Sequence, residues 1–469
     1  MRQWFRRVLA RPAADAGKQA LALEAGGRGR RWQSAAEVTN LQADIRTSGA
    51  LITRRAQFYV QNNCHAAAAV RGLVANIVGP GIKPLSRHPQ KSLRERLHQR
   101  WAVWIDECDV TGNCDVYGLQ ALVARMMVVD GEAFVRFATG ADGFPRLQVL
   151  HADQVTRDLA PVGAPDGIEH NEWGAPVAYH VLPRRTSDWQ QFPAPQQTPI
   201  RLLARDVAHI FDPMEAGQRR GLSWLSPALT KISETDQMDD AALASAKIRN
   251  LISAAVTAPE GSEAMRSAAV DWVPGAMLPL DPGADVEFFE PKESGAYGEF
   301  LQTHLRAIAV GIGVPYELLT GDLSQVNYSS IRAGIVEFRK RLQHWQYNTI
   351  GRRLLRPVWQ RFVTASMAAG IVAPAKWQDA IRLVEWQPPK QEWVDPLKDV
   401  QAGALAVASG FTSRSAIISE MGYDPEIVDA EIAADNERAA ALGILQAPAA
   451  PAVDEGDDGE EEKGDDRAA

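Results

Sequence analysis

The sequence predicts an α+β protein in which a mixed region of short strands and helices gives way to long amphipathic helices. Three observations carry this. Apolar residues recur at helical spacing at Leu301, Leu305, Ile308 and Ile312, and again at Ile331, Ile335, Phe338, Leu342 and Trp345. Short β-branched and aromatic runs, such as Val207 to Phe211, lie between turn signals in the first half. Proline and glycine clusters separate the periodic stretches.

At 469 residues and 46% hydrophobic composition, the chain can bury a sizeable core divided among several domains. The formal charge of −8 hides an asymmetry. The first 31 residues carry eight bases against Asp15 and Glu24, whereas residues 454–467 carry nine acids against Lys463 and Arg467. Three irregularly spaced cysteines, Cys64, Cys108 and Cys114, give neither a disulfide framework nor a zinc site and read as reduced thiols. No apolar run approaches the ~18 residues of a membrane span. The basic start lacks the long apolar core of a secretory signal.

In chain order, residues 1–50 read as a basic arm rich in Ala, Gly and Arg. A helix follows from Leu51 to Val78, stopped by Gly79-Pro80-Gly81, and another runs from Ser92 to Glu107. Leu119 to Val129 is helical, Asp130-Gly131 turns, and Ala133 to Phe137 is a strand. Leu147 to Leu150, Val177 to Leu182 and Val207 to Phe211 add strands, with a turn at Glu172-Trp173-Gly174 and a Pro/Gln-rich loop over 183–200. Ser226-Pro227 opens a helix that persists to Val256, roughly 45 Å at 1.5 Å per residue. Its acids Glu234, Asp236, Asp239 and Asp240 suit a surface, a channel or a subunit interface better than a core.

Residues 259–297 form a small β-rich insertion with a strand at Val286 to Phe289. The helix over 300–313 ends at Gly311, Gly313 and Pro315. A polar loop then holds Asp322, Ser324, Gln325 and Asn327, with Ser329 as N-cap of a helix that continues to Met367. Strand-like Ile381 to Trp386, a linker with Pro388, Pro389 and Pro396, and a helical region from Leu397 to Leu445 complete the ordered part. The acidic tail from Ala447 reads as disordered.

Enzyme signatures fail. There is no P-loop, no H-E-x-x-H and no G-x-S-x-G, and the nine histidines show no metal-ligand pairing. Asp106, Glu107, Asp109 and Asp115 could form a metal cluster, but acids of a solvated turn are the plainer account. Arg332, Arg339, Lys340, Arg341, Arg352, Arg353 and Arg356 crowd the helix after the polar loop. They suit a solvated ion-paired face, phosphate contact, or pairing with an acidic helix of a neighbouring subunit.

The wording of several blocks resembles the lambda-type phage portal proteins. Arg54-Arg55 precedes Asn62-Asn63, then come Asn76 with Gly79-Pro80-Gly81-Ile82, Cys108-Asp109 with Gly112, and Asp130-Gly131-Glu132. Val207-Ala208-His209-Ile210-Phe211 and Gly217-Gln218-Arg219-Arg220-Gly221 follow, then Pro274-Gly275 with Leu280 and Pro282-Gly283. The most specific block runs from Ala309 to Gly313 through Val314-Pro315-Tyr316-Glu317, Thr320-Gly321-Asp322 and Asn327-Tyr328-Ser329-Ser330 with Arg332. Trp393-Val394-Asp395-Pro396 with Lys398, and Gly422-Tyr423-Asp424, close the series. The match covers roughly residues 50–445.

The resemblance implies a portal fold. Its parts would be an α+β wing over 51–225, a first stem helix over 226–258, a clip over 259–297 and a second stem helix over 298–314. A tunnel loop over 315–329, a long helix with the rest of the wing over 330–396, and a helical crown over 397–446 would follow, with the arm at 1–50 and the tail at 447–469. It implies a homo-oligomeric ring, typically of twelve subunits, at one capsid vertex of the virion, made in the bacterial cytoplasm. Double-stranded DNA would pass through it during packaging and ejection. The terminase large subunit, head-completion proteins, and capsid and scaffold proteins would dock on it, with no membrane and no cofactor. Asp322, Leu323, Ser324, Gln325, Val326 and Asn327 would face the DNA, and the stretch Leu318 to Ser329 would face the axis. The acids of the 226–256 helix would line the stem, and Arg332, Arg339, Lys340 and Arg341 would serve subunit contacts. The competing expectations are another capsid or head-assembly protein and, further off, a DNA-processing nuclease using Asp106 or Asp109.

Overall fold

The computed structural model describes residues 40–155, 163–164, 166–185, 197–251, 254–257, 285–288, 296–324, 328–390 and 396–444. The arm over 1–39, most of the insertion over 259–297, Gln325 to Asn327, the stretch Trp393 to Asp395 and the acidic tail lie outside the described residues. The chain divides into two compact units, residues 1–389 and 390–469.

The first unit opens with α1 (Leu41–Asn62), ten residues inside the stretch expected to be an arm. Asn40 caps it by accepting from the Gln42 N–H at 2.8 Å, and Ile45, Gly49, Ala56 and Val60 give it a buried face. Where one helix over 51–78 was expected, the chain breaks at Asn63. That residue is extended, and its side chain accepts from the Ala66 N–H at 3.0 Å, so it caps a new helix, α2 (Cys64–Ile77).

β1 (Lys83–Ser86) has no strand signature of its own and exists through a distant partner described below. α3 (Lys91–Trp104) and α4 (Val116–Val129) follow, the latter starting three residues before the expected Leu119 because Asp115 caps it. β2 (Glu132–Thr139) is the centre of a three-stranded antiparallel sheet, flanked by β3 (Pro145–Leu150) and, reached later in the chain, β7 (Val207–Phe211). Between these flanks, β4 (Ile168–His170), β5 (Pro176–Val181) and β6 (Ile200–Leu203) form a second antiparallel sheet.

α5 (Leu229–Leu251) is shorter at both ends than the expected 226–256 helix. Tight turns at Ser223 to Leu225 lead into it, and Ala254 to Thr257, expected as its last turn, is the strand β8. It pairs antiparallel with β9 (Asp285–Phe288), Ala254 opposite Phe288 and Thr257 opposite Asp285. α6 (Ala296–Ile312) and the short α7 (Tyr316–Thr320) come next.

α8 (Tyr328–His344) runs into an eleven-residue π-helical segment, Trp345–Leu355, and then α9 (Arg356–Ala368). Within the π segment a Cβ at Gly351 would meet the Gln346 carbonyl oxygen at 2.9 Å. The Gln346 side chain leaves the helix to donate to the Asn76 and Ile77 carbonyls, satisfying the C-terminal end of α2. The short α10 (Trp377–Arg382) precedes β10 (Val384–Gln387), which pairs with β1 and explains it: Lys83 lies opposite Gln387 and Ser86 opposite Val384.

One apolar cluster joins α1 through α4, β2, α6, the π segment and α9. Trp101, Trp104, Trp359 and Phe362 pack with ring centroids 4.8–5.6 Å apart, and the two buried indoles at Trp104 and Trp359 donate to the Pro145 and Ala380 carbonyls. The second unit holds α11 (Pro396–Ala408), α12 (Arg414–Glu420) and α13 (Pro425–Leu442), the last two capped by Ser413 and Asp424. Among its described residues Leu405, Phe411 and Leu442 stand 68%, 87% and 67% exposed.

A buried ion pair pins the first unit. Arg220 and Glu132 are 2% and 1% exposed, and the Arg220 Nε donates to both Glu132 carboxylate oxygens at 2.8 and 3.0 Å. Nη2 donates to Glu132 Oε1 at 2.5 Å as well, and the other guanidinium N–H groups reach the carbonyls of Ala152, Val155 and Asp166. Glu132 also accepts from the Gly221 N–H at 2.9 Å and the His209 ring at 3.0 Å. The two segments come this close because both meet at glycine. A Cβ at Gly221 would lie 2.1 Å from the Gly131 oxygen, and Gly131 itself has φ +88°. Removing one member leaves the other charge buried and unpaired. Arg220→Ala is therefore expected to destabilise the unit by about 3–5 kcal/mol in denaturant titration, and Glu132→Gln with Arg220→Met to cost less than the two single changes together.

Candidate functional site

The stretch between α6 and α8 is the candidate site, and its two parts behave differently. α6 buries Leu305, Ile308 and Ile312, then turns at Gly313, whose φ is +87°. α7 follows at once and is not part of an open loop. Leu319 is 2% exposed, and Leu318 lies so close to α2 that a Cβ at Gly72 would meet its Cγ at 2.9 Å. The stretch Leu318 to Ser329, expected to face the axis, therefore starts on a packed base: Leu318 and Leu319 are apolar and find a seat in their own subunit.

α7 ends at Gly321 in the left-handed conformation, and the following turn is exposed. Asp322 organises it. Its Oδ1 accepts from the Ser324 N–H at 3.0 Å and the Ser324 hydroxyl at 2.6 Å. These bonds, with the Tyr316 hydroxyl and the nearby Arg306 guanidinium, hold its carboxyl below the usual carboxylate range, so it stays charged. Arg306 itself lies over the Tyr316 ring, 5.4 Å from the centroid. Leu323 is 63% exposed at the tip, and Gln325, Val326 and Asn327 lie outside the described residues.

The four acids of α5 do not share one environment. Glu234 is exposed and lies 3.7 Å from Lys231 on its own helix. Asp236 accepts from the Asn63 side chain at 3.1 Å, at the break between α1 and α2. Asp239 accepts from the Tyr297 hydroxyl of α6, and partial burial, with Asp236 and Asp240 nearby, raises its carboxyl against the opposing pull of His65. Asp240 is exposed. Of the basic residues, Arg332 is exposed, Arg339 half-buried, and Lys340 pairs with Glu337 at 2.6 Å one turn away. Arg341 is exposed with its guanidinium beside Gly313. Arg353 is a packing residue, stacked 4.2 Å over Phe211.

A buried polar cluster among the described residues lies elsewhere, around the Glu132–Arg220 pair. Burial alone would raise the Glu132 carboxyl, but Arg220 and His209 override it and hold it far below the usual range. Burial pulls the His209 ring below its usual value against the opposing pull of Glu132, and the ring stacks 4.2 Å from Phe134. Every direction of the guanidinium is taken by a protein acceptor, so this is a structural joint and not a reacting group. Periodicity missed it; the glycine-flanked blocks Asp130-Gly131-Glu132 and Gly217 to Gly221 were the signal that could have found it. Asp109, weighed above as a metal ligand, spends its carboxylate on its own turn, accepting from Thr111, Asn113 and Cys114. Among the described residues no group of three or more His, Cys, Asp or Glu side chains is placed to hold a metal ion.

Residues 25–346 match the family of phage portal proteins of the lambda type. The chain belongs to the lambda family of phage portal proteins. Portal proteins are structural: they form the channel at a capsid vertex used for DNA packaging, and this chain is no enzyme. It is 27% identical over 428 residues to a probable portal protein of Halomonas phage phiHAP-1, covering 84% of this chain and 81% of that one. With portal protein B of Escherichia phage lambda it shares 25% identity over 517 residues, covering 95% and 94% of the two chains. Among solved structures, the neck of a native gene transfer agent particle computed with C12 symmetry aligns at 17% identity and a TM-score of 0.46, over 81% of this chain and 94% of that one. No helix among the described residues is long and apolar enough to cross a membrane.

Beside the pin, Asp130 supplies a pH signature. It is 5% exposed and accepts from the Gln57 side chain at 2.8 Å, and burial pushes its carboxyl from 3.8 up to about 6. A raised folded-state value stabilises fully below the unfolded value and is lost as pH rises through about 6. Glu132 has the opposite sign: its contribution is present above its ordinary 4.5 and is lost as pH falls below that. Asp130→Asn is expected to remove a loss of up to about 3 kcal/mol between pH 4 and 6. Thermal melts of both proteins across that range check it, and equal slopes would exclude Asp130 as the source.

Proposed function

We propose that copies of this chain close into a ring, of twelve subunits as the resemblance implies, with the turn after Gly321 projecting toward the DNA path. The observation that carries the reading is the division of the 315–324 stretch. α7 is seated in the core of its own subunit, so the exposed turn beyond it rests on a fixed base. Asp322, kept charged by Ser324, presents negative charge at that turn. DNA must slide through a channel without adhering, and a carboxylate repels phosphate where an arginine would hold it.

In this reading α5 and α6 are the stem, the β8–β9 ladder is the root of the clip, α8 with the π segment and α9 is the long wing helix, and the second unit is the crown. The exposed apolar residues of the crown are covered by neighbouring copies, as a head-to-tail contact that closes by rotation requires. Arg332, Arg339 and Arg341 serve subunit contacts. The terminase large subunit, head-completion proteins, and capsid and scaffold proteins dock on the outer surfaces of the ring.

Two experiments test this. Asp322→Arg, or deletion of Leu323 to Asn327, is expected to leave melting temperature and ring assembly unchanged while cutting packaged DNA per head at least tenfold; normal packaging by both would remove the turn from the channel. Reversing Arg332, Arg339 and Arg341 to Glu is expected to abolish rings in electron micrographs. Intact rings with altered DNA retention would assign those arginines to DNA instead.

A further inference from the structure

A groove of about 660 Å³ runs between α1 and the start of α5. Arg54, Arg55 and Phe58 line it from α1, and Leu229, Ser233 and Glu234 from α5. On α1, Thr47, Leu51, Arg54 and Phe58 recur at steps of four, three and four, so they share one stripe. All four are exposed, across the helix from the buried Ile45, Gly49, Ala56 and Val60. Phe58 is 57% exposed, and among the described residues neither the Arg54 nor the Arg55 guanidinium has an ion-pair or hydrogen-bond partner. Arginines beside an exposed aromatic ring are the composition of the centre of a protein contact.

α6 carries a second stripe that its own subunit does not bury. Phe300, Thr303, Ala307 and Val310, at steps of three, four and three, are exposed, Val310 by 81%. They lie across the helix from the buried Leu305, Ile308 and Ile312. Glu299 flanks the stripe, and its carboxylate has no partner among the described residues.

The groove and the stripe belong to different sides of α5. α6 packs where a Cβ at Gly311 would meet the Ala228 Cβ at 3.3 Å and where the Tyr297 hydroxyl donates to Asp239. Positions 228 and 239 share one side of α5, whereas Thr230 and Glu234 of the groove stand on the other. A contact that closes a ring by rotation joins two such different faces of one protomer. These two are complementary: a groove with unpaired positive charge, and an apolar ridge flanked by an unpaired carboxylate.

We propose that the outer stripe of α6 in one copy seats in the α1–α5 groove of the next copy, burying Val310 and pairing Glu299 with Arg54 or Arg55. This contact rests on the ring proposed above and names the faces that meet in it.

The full chain is compared as a dilute subunit and under assembly conditions. Arg54→Glu with Arg55→Glu, Glu299→Arg, and Val310→Asp all change exposed side chains, so each dilute subunit is expected to melt within about 2 °C of the unchanged chain. Each is expected to lower the fraction of chain in rings, counted in electron micrographs, by about tenfold or more. Combining the three charge reversals re-forms the pair with opposite sign and is expected to recover most of the rings. No recovery in that combination, or undiminished rings with Val310→Asp, would overturn the contact while leaving the ring in place. An unchanged chain that forms no ring would overturn the ring and this contact with it. A dilute Val310→Asp subunit that melts several degrees lower would show the stripe already occupied within its own chain, which also excludes the contact.

Discussion

The Glu132–Arg220 pair is the constraint on which the first unit depends. It joins residues 88 positions apart and holds together β2, the loop before α5 and the short turn at Ala152 to Val155. Low polarity makes such a pair strong once formed and costly once broken. The surrounding geometry answers that cost: the guanidinium has a carbonyl or carboxylate on every side, and the carboxylate takes further bonds from Gly221 and His209. Gly131 and Gly221 are there because no side chain fits where their backbones touch. The result is a rigid sheet-to-helix junction from which α5 departs.

A second fixed point is the middle of the long helix. The π segment turns Gln346 out to close the end of α2, while Trp345 packs at a tilt against Trp224 and donates to Asp212. Thr349 reaches the same Asp212 carboxylate. The helix behind the candidate channel turn is thus tied to α2 and to the end of β7, and the turn itself is tied through Leu318 to α2 as well. For a channel component this matters. A turn that meets moving DNA transmits force to its base, and here the base is core.

Much of this architecture was legible in the sequence. The strands at 132–139, 145–150, 176–181 and 207–211, and the helices ending at 129 and 312, fall within a few residues of their periodic patterns. Local spacing reports which face of an element is apolar, and each of these has one clear face. The errors share a cause. β1 and β8 are strands only because β10 and β9 pair with them, and the break at Asn63 depends on a side chain turning back to cap. Arg353, grouped with basic surface residues, stacks instead on an aromatic ring brought from β7.

The sequence by itself determined the class of fold, the family and the position of the polar turn, because helical periodicity, turn residues and ordered motif blocks are local properties of the chain. The tertiary structure alone decided which charges are buried and which are free. Glu132, His209 and Arg220 read as ordinary polar residues in three separate blocks, and Leu318 as part of an open loop. Burial and pairing across long separations arise only when distant segments meet, and no local pattern records them.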